Sequence, residues 1–162
     1  MNLAFFLHGI ERYGLLIVFV VVLLEHLNLP GLPAGVVLPF AGIWAAKGHS
    51  FIGTLIVTIL AGLLGSILLY YVGKLGGIKV LPYFLGKSEK TRKIYDKLKA
   101  RMEKQGSLAI FISKFIPVAR TLVGIPAGIM NMNIFKYAWS STLGIAVFNV
   151  ILFSAGYFFG VS

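Results

Sequence analysis

The stretch SLAIFISKFIPVARTLVGIPAGIM, residues 107–130, is apolar enough to enter a membrane, yet its composition argues against one straight helix. Charged or helix-breaking residues interrupt it at six places: Lys114, Pro117, Arg120, Gly124, Pro126 and Gly128. Proline removes a backbone hydrogen bond and collides with the preceding helical turn. In lipid, backbone that is broken in this way must be buried in protein or line a wet cavity. We therefore predict a re-entrant helical hairpin, which enters and leaves the membrane on the same side.

A second, shorter apolar stretch, residues 30–46, is broken in the same manner. Its hairpin-forming residues are Pro30, Pro33, Gly35, Pro39 and Gly42. We interpret this stretch as a second re-entrant hairpin. Single membrane crossings by both broken stretches are the alternative, because they place the loop between them on the same side of the membrane.

Three further stretches can each cross the membrane as a helix, which takes about 20 apolar residues. They are residues 13–29, 51–73 and 134–161. With 58% hydrophobic and 12% charged residues, the chain differs from water-soluble domains, in which about a quarter of the residues are charged. There are no cysteines, and the three histidines lack metal-ligand spacing, so we expect no metal or other cofactor. The sequence predicts an all-α membrane protein with a single domain, residues 1–162.

The clearly polar segment of the chain, residues 86–106, lies between its two halves. Ile94, Leu98 and Met102 recur at four-residue spacing among lysines and arginines, which predicts a basic amphipathic helix on the membrane surface. Ten of the fifteen basic residues lie within residues 74–106. Since short cytoplasmic loops are rich in lysine and arginine, this loop is expected in the cytoplasm, and the net charge of +10 then reflects topology and not binding to nucleic acid. A solvated linker helix without a partner is the alternative.

The two halves of the sequence also resemble each other. The matched positions are Pro33 with Pro117 and Phe51 with Phe135 at a shift of 84, then Ser66 with Asn149, Gly73 with Gly156 and Gly77 with Gly160 at a shift of 83. If these matches reflect a true repeat, each half consists of a broken hairpin followed by a long helix. The alternative is that they arise by chance, because the residue types are abundant. The predicted halves point in opposite directions, which is the inverted-repeat plan of many secondary transporters.

Three charged side chains within the apolar stretches are candidates for function. Glu25 is the carboxylate among them, and burying an acid at a helix centre costs about 2.5 to 3.5 kcal/mol, which favours a proton-titrating or counter-ion role. Lys114 and Arg120 flank Pro117, so a bend can bring both heads to one cavity, where the planar guanidinium suits phosphate. His26, next to Glu25, is a second group that can titrate near neutral pH. In the alternative interpretation, Glu25 and Lys114 extend to the membrane surface, where His26 is a polar anchor.

Three runs of the sequence resemble the DedA family, also called the VTT or SNARE-associated membrane domain family. They are EHLNLPGLPAGVVLPFAG at 25–42, AGLLGSILLYYVGKLGG at 61–77 and SKFIPVARTLVGIPAGIMNMNIFKYAWSSTLG at 113–144. The resemblance implies a bacterial or archaeal plasma-membrane protein with two facing re-entrant hairpins. It also implies a role in moving polyprenyl phosphate or phospholipids between leaflets, in envelope integrity, and dependence on the proton motive force. Glu25 matches the family's membrane-embedded acid, and Lys114 and Arg120 match its two basic residues in the second hairpin.

The chain departs from the family pattern at several positions. The second acid of many members falls at Gly35, and the acid common in the next helix falls at Ser66, so proton coupling through a carboxylate pair is in question. Lys114 replaces the commoner arginine and lacks its bidentate fork. Longer relatives continue beyond the position of Ser162 into another hydrophobic helix, and we interpret the chain as a compact subtype.

The expected function is the translocation of a phosphate-bearing lipid, with membrane lipids as partners. Undecaprenyl phosphate and a phospholipid such as phosphatidylethanolamine are both open as cargo. Arg120 and Lys114 would bind the phosphate, and Glu25 would titrate or balance their charge. A proton-coupled small-ion antiporter and a non-transporting membrane scaffold are the alternatives. Enzyme catalysis is not expected, because no nucleophile, base and orienting group stand out together, and formation of a homo-oligomer is left open.

Overall fold

The protein is represented by a computed structural model that describes residues 3–27, 35–86 and 88–162. These residues form helices and turns, and no strand occurs among them. The helices are α1 (Leu3–His26), α2 (Val37–Ala46), α3 (Phe51–Gly76), α4 (Leu81–Leu85), α5 (Glu89–Gln105), α6 (Ser107–Ser113), α7 (Pro117–Leu122), α8 (Gly124–Ile129) and α9 (Ile134–Val161). A short 3-10 helix, Gly77–Val80, connects α3 to α4.

Two helical segments are long and apolar enough to cross a membrane. One is Phe51–Tyr83, which comprises α3 and its continuation into α4 and has a mean hydropathy of 2.4. The other is α9, with a mean hydropathy of 1.9. They confirm the helices predicted at 51–73 and 134–161, although α3 itself continues to Gly76.

The first predicted crossing, residues 13–29, differs from the helix that forms. α1 begins upstream of it and ends at His26, and residues 28 and 29 lie outside the described residues. Tyr13 has non-helical backbone angles, φ −120° and ψ 15°, and separates two helical parts of α1. The apolar part, Tyr13–His26, is therefore shorter than the two segments that can cross by length alone.

The stretch 107–130 is broken at the place that its proline predicts. α6 ends at Ser113, and the chain leaves the helical conformation before Pro117 begins α7. Ile116 is extended, with φ −101° and ψ 118°, as steric contact with a following proline ring requires. α7 and α8 then follow with a joint at Val123. The bend predicted at this proline is confirmed.

The other broken stretch, residues 30–46, is described only in its second part. Pro39 lies in the first turn of α2, where a missing N–H leaves no helical hydrogen bond unmade, and Gly42 lies in the middle of the helix. Pro30 and Pro33 lie outside the described residues. A hairpin at this position remains a prediction.

Two close helix crossings connect the halves of the chain, each through a pair of glycines. Where α2 crosses α9, Gly42 faces the backbone of residues 153–157 and Gly156 faces that of Pro39. Where α3 crosses α8, Gly73 faces the backbone of Ile125 and Gly128 faces that of Tyr70. A β-carbon at any of the four would collide with the backbone of the facing helix. Small residues allow helix backbones to approach this closely within a membrane. α2 therefore packs against α9, and α8 packs against α3.

The basic helix α5 forms as predicted within residues 86–106. Leu98 and Met102 on its apolar face are buried and pack with side chains of α6, α7 and α8, among them Ile110 and Leu122. The lysines and arginines of its other faces are exposed. The apolar face thus contacts protein where the sequence suggests a membrane surface.

Candidate functional site

The candidate site is a buried cluster of polar side chains centred on Arg120 in α7, whose side chain is 1% exposed. One nitrogen of its guanidinium, Nη2, lies 2.8 Å from Nε2 of His26. The other, Nη1, lies 3.7 Å from Oε1 of Glu25. The guanidinium carbon is 4.5 Å from the centre of the Phe148 ring, which is a cation–π distance. Side chains of α1, α7 and α9 therefore meet at this one residue.

Glu25 lies near the end of α1 and is buried, so it does not extend to water as the alternative interpretation expects. Its Oε1 accepts a hydrogen bond from the backbone N–H of Gly35 at 2.9 Å. Gly35 has a φ of +88°, a backbone conformation that favours glycine. The position at which the family pattern has a second acid thus supplies a backbone donor to Glu25.

Lys114 follows the last residue of α6 and is 1% exposed, so it does not extend to the membrane surface either. Its Nζ donates hydrogen bonds to Oγ of Ser66 at 2.9 Å and to the carbonyl oxygen of Arg120 at 3.0 Å. The Tyr137 ring centre lies 5.9 Å from the same Nζ. Gly144 of α9 leaves room for the lysine, because a β-carbon there would lie 2.7 Å from its side chain.

The cluster contains more positive than negative groups. Lys114 and Arg120 are brought together, as the predicted bend at Pro117 requires, through the bond from Nζ to the Arg120 carbonyl. Glu25 is the acid that lies within ion-pair distance of Arg120 among the described residues. Within that same part of the chain no acid pairs with Lys114, whose described partners are neutral oxygens. Buried charges in proteins are generally paired, so the two basic side chains are candidates for binding an anion.

The contacts of three residues in the cluster are not predicted from the sequence. His26 is 1% exposed and contacts Arg120, so the interpretation of this residue as a surface anchor is wrong. Ser66 receives the lysine, and its carbonyl oxygen accepts a hydrogen bond from the Tyr137 hydroxyl at 3.1 Å. The available signal was the occurrence of polar side chains inside long apolar helices, where each needs a partner.

Four predicted hairpin residues lie in α7 and α8. Pro117 begins α7, the helix that carries the arginine. Gly124 packs at the site itself, because a β-carbon there would lie 2.9 Å from the Tyr137 hydroxyl oxygen. Pro126 and Gly128 are buried in α8, which packs against α3. These residues shape the backbone around the charged groups.

A comparison with known families identifies the family of the chain. Residues 32–158 match the VTT domain. The chain belongs to the VTT domain family, which includes DedA. Among its VTT relatives, Undecaprenyl phosphate transporter A of Staphylococcus aureus is 36% identical over 152 residues, which cover 91% of this chain and 74% of that protein.

Two further relatives of this VTT protein carry different names. The Alkaline phosphatase-like protein of Lactococcus lactis subsp. cremoris is 28% identical over 152 residues, 90% of this chain and 71% of that protein. Protein DedA of Escherichia coli is 26% identical over 158 residues, 94% of this chain and 71% of that protein. No solved structure matches the chain.

Proposed function

We propose that the protein moves a lipid that carries a phosphate from one leaflet of the membrane to the other. The observation that carries this proposal is a pair of buried basic side chains with a single acid in reach. Arg120 and Lys114 are each 1% exposed, and within the described residues Glu25 alone lies at ion-pair distance. Ionisable groups buried in a membrane protein generally mark a substrate or ion pathway. In support, the Staphylococcus aureus relative is named as a transporter of undecaprenyl phosphate.

The phosphate would bind at Nη1 of Arg120. Nη1 makes no hydrogen bond to the described residues, and its distance of 3.7 Å to Glu25 is longer than a hydrogen bond. A phosphate can offer two oxygens to the planar guanidinium, which gives a stronger, bidentate contact. Lys114 would add a point charge from the adjacent turn. The cargo thus replaces Glu25 as the partner of the arginine.

Glu25 would reset the site after transport. Its Oε1 accepts a hydrogen bond from the backbone N–H of Gly35 at 2.9 Å. This bond would hold the carboxyl group near Arg120 while the cargo is bound. When the phosphate leaves, the same carboxylate recovers Arg120 as its partner. Uptake of a proton by the displaced carboxyl group would link this cycle to the proton motive force with a single acid.

We also propose that both broken stretches are re-entrant hairpins of an inverted repeat. In support, two pairs of helices cross closely through glycines, α2 with α9 through Gly42 and Gly156, and α3 with α8 through Gly73 and Gly128. Gly73 and Gly156 are also matched by the sequence repeat. With residues 74–106 in the cytoplasm, the hairpins would dip from opposite faces of the plasma membrane and hold the cluster between them.

Two cargoes are consistent with the site, and they differ in what they need from Glu25. Undecaprenyl phosphate presents only an anionic head group, so the Glu25 carboxylate must give up its contact with Arg120. Phosphatidylethanolamine also presents an amine, which the displaced carboxylate can bind. The name of the Staphylococcus aureus relative favours undecaprenyl phosphate.

The test places the purified protein in liposomes and follows each labelled lipid separately from one leaflet to the other. We expect the wild-type protein to accelerate at least one lipid over empty vesicles. Arg120→Gln should reduce this gain by about tenfold or more, because it removes a charged hydrogen-bonding partner of the cargo. The matched control is Arg92→Gln, which removes the same charge from the exposed face of α5 and should leave the rate unchanged.

Two results contradict the proposal. In one, neither lipid crosses faster than in empty vesicles. In the other, the protein releases inorganic phosphate from the lipid without transferring it, which would indicate hydrolysis and is measured in the same vesicles because one relative is named as phosphatase-like.

A further inference from the structure

The imidazole of His26 occupies a recess that fits it closely. The residue is 1% exposed and faces two glycines of α3. A β-carbon at Gly62 would lie 2.9 Å from Nε2 of His26, and one at Gly65 would lie 2.6 Å from the β-carbon of His26. Both distances are well below the roughly 3.5 to 4.0 Å that separates non-bonded heavy atoms in ordinary contact. The helix surface opposite His26 is therefore open only because both positions lack a side chain.

The two partners of the ring fix where its proton lies. Nδ1 is 3.0 Å from the carbonyl oxygen of Val22, which can only accept, so Nδ1 carries the hydrogen. Nε2 is 2.8 Å from Nη2 of Arg120, which can only donate, so Nε2 is a bare acceptor. The ring is thus the neutral Nδ1–H tautomer. An imidazolium would present a hydrogen to the guanidinium and lose this contact.

We propose that His26 is a positioning residue, which acts on the cargo through Arg120. This inference rests on the proposed transport function. The bare Nε2 takes Nη2, and the Phe148 ring covers the face of the guanidinium at 4.5 Å. Together they fix the plane of the group, so that Nη1, which lacks a hydrogen-bond partner among the described residues, faces Glu25 and the incoming phosphate. A donor held in place before the cargo arrives binds it with less loss of conformational freedom.

A matched pair of substitutions separates this role from packing. The amide of glutamine can place its oxygen near the position of Nε2 and accept from Arg120, whereas the shorter amide of asparagine reaches only the position of Nδ1 and keeps the bond to Val22. His26→Gln should therefore retain lipid flux within about threefold of wild type, while His26→Asn should lose about tenfold or more. The loss in His26→Asn should include a weaker apparent affinity for the lipid.

Measurements of melting temperature for both variants accompany the flux assay. If His26 only fills space, flux follows stability, and the two variants lose flux in proportion to their loss of melting temperature. The proposal is overturned if His26→Asn transports as well as wild type, or if His26→Gln loses as much flux as His26→Asn at similar stability.

A spectroscopic readout decides the geometry independently of transport. Nitrogen-15 NMR of histidine-labelled protein in bilayers, with His26→Gln used to assign the signal, should report a protonated Nδ1 and a bare Nε2 near neutral pH. In Arg120→Gln the Nε2 signal should shift, because its charged donor is gone. An Nε2–H tautomer, or a signal that Arg120→Gln leaves unchanged, overturns the positioning role even if lipid transport is demonstrated. If wild-type protein moves no lipid, the proposed function fails while this readout still decides the role of His26.

Discussion

Glu25 and Arg120 form a buried ion pair whose strength follows from its geometry. Oε1 and Nη1 are 3.7 Å apart, and each side chain is 1% exposed. At an effective dielectric constant of about 20, unit charges at this separation attract by roughly 4 kcal/mol. Removal of one partner leaves the other charge buried and uncompensated, which destabilises a protein by about 3 to 5 kcal/mol. Glu25→Gln and Arg120→Met should each lower the free energy of unfolding by this amount.

The double variant tests whether the two residues act on each other. In the double variant neither charge is left buried without its partner. The free energy of unfolding should therefore fall by about 2 to 3 kcal/mol less than the sum of the two single losses. Thermal unfolding in detergent micelles measures these differences. For a chain of this size 1 kcal/mol corresponds to about 2 to 4 °C, so each single variant should melt about 6 to 20 °C below wild type.

The matched control for the acid is Glu103→Gln, on the exposed face of α5, which should melt within about 2 °C of wild type. A melting temperature for Glu25→Gln within the same range as this control would show that Glu25 does not compensate the charge of Arg120. Strictly additive losses in the double variant would show equally that the two charges do not interact.

Three further substitutions have expected effects on the melting temperature in the same assay. Gly128→Ala places a methyl group against the backbone of Tyr70, which cannot move aside as a side chain can. This variant should lower the melting temperature by about 2 to 12 °C. An unchanged melting temperature would mean that α3 and α8 do not approach so closely. Ser66→Ala removes one of the two acceptors of Lys114 and should lower the melting temperature by about 3 to 12 °C, and a value equal to wild type would place the ammonium group elsewhere. Gly35→Ala puts a side chain where φ is +88° and should lower it by about 2 to 8 °C; full stability would contradict that backbone conformation.

The features that could be predicted from the sequence act over short distances along the chain. Pro117 forces the residue before it into an extended conformation, so the break after Ser113 and the approach of Lys114 to Arg120 follow from local geometry. The long apolar runs of α3 and α9 predict their helices by length alone.

The contacts that could not be predicted join distant parts of the chain. His26 and Arg120 are 94 residues apart, and their meeting depends on a recess in α3 that has no local sequence signal. A polar residue in an apolar helix indicates that a partner exists but does not identify it. In α5 the spacing of Leu98 and Met102 identifies the apolar face, whereas only the packing of α6, α7 and α8 reveals that protein and not lipid covers it.

We propose that Arg120 and Lys114 select a lipid by its phosphate. The most direct test of this proposal compares the transfer of undecaprenyl phosphate with that of undecaprenol, which lacks the phosphate, in vesicles that contain either wild-type protein or Arg120→Gln. We predict that the wild-type protein accelerates the phosphate form alone and that Arg120→Gln reduces this acceleration by about tenfold or more. Equal acceleration of undecaprenol, or a rate for undecaprenyl phosphate that Arg120→Gln leaves unchanged, would contradict the claim.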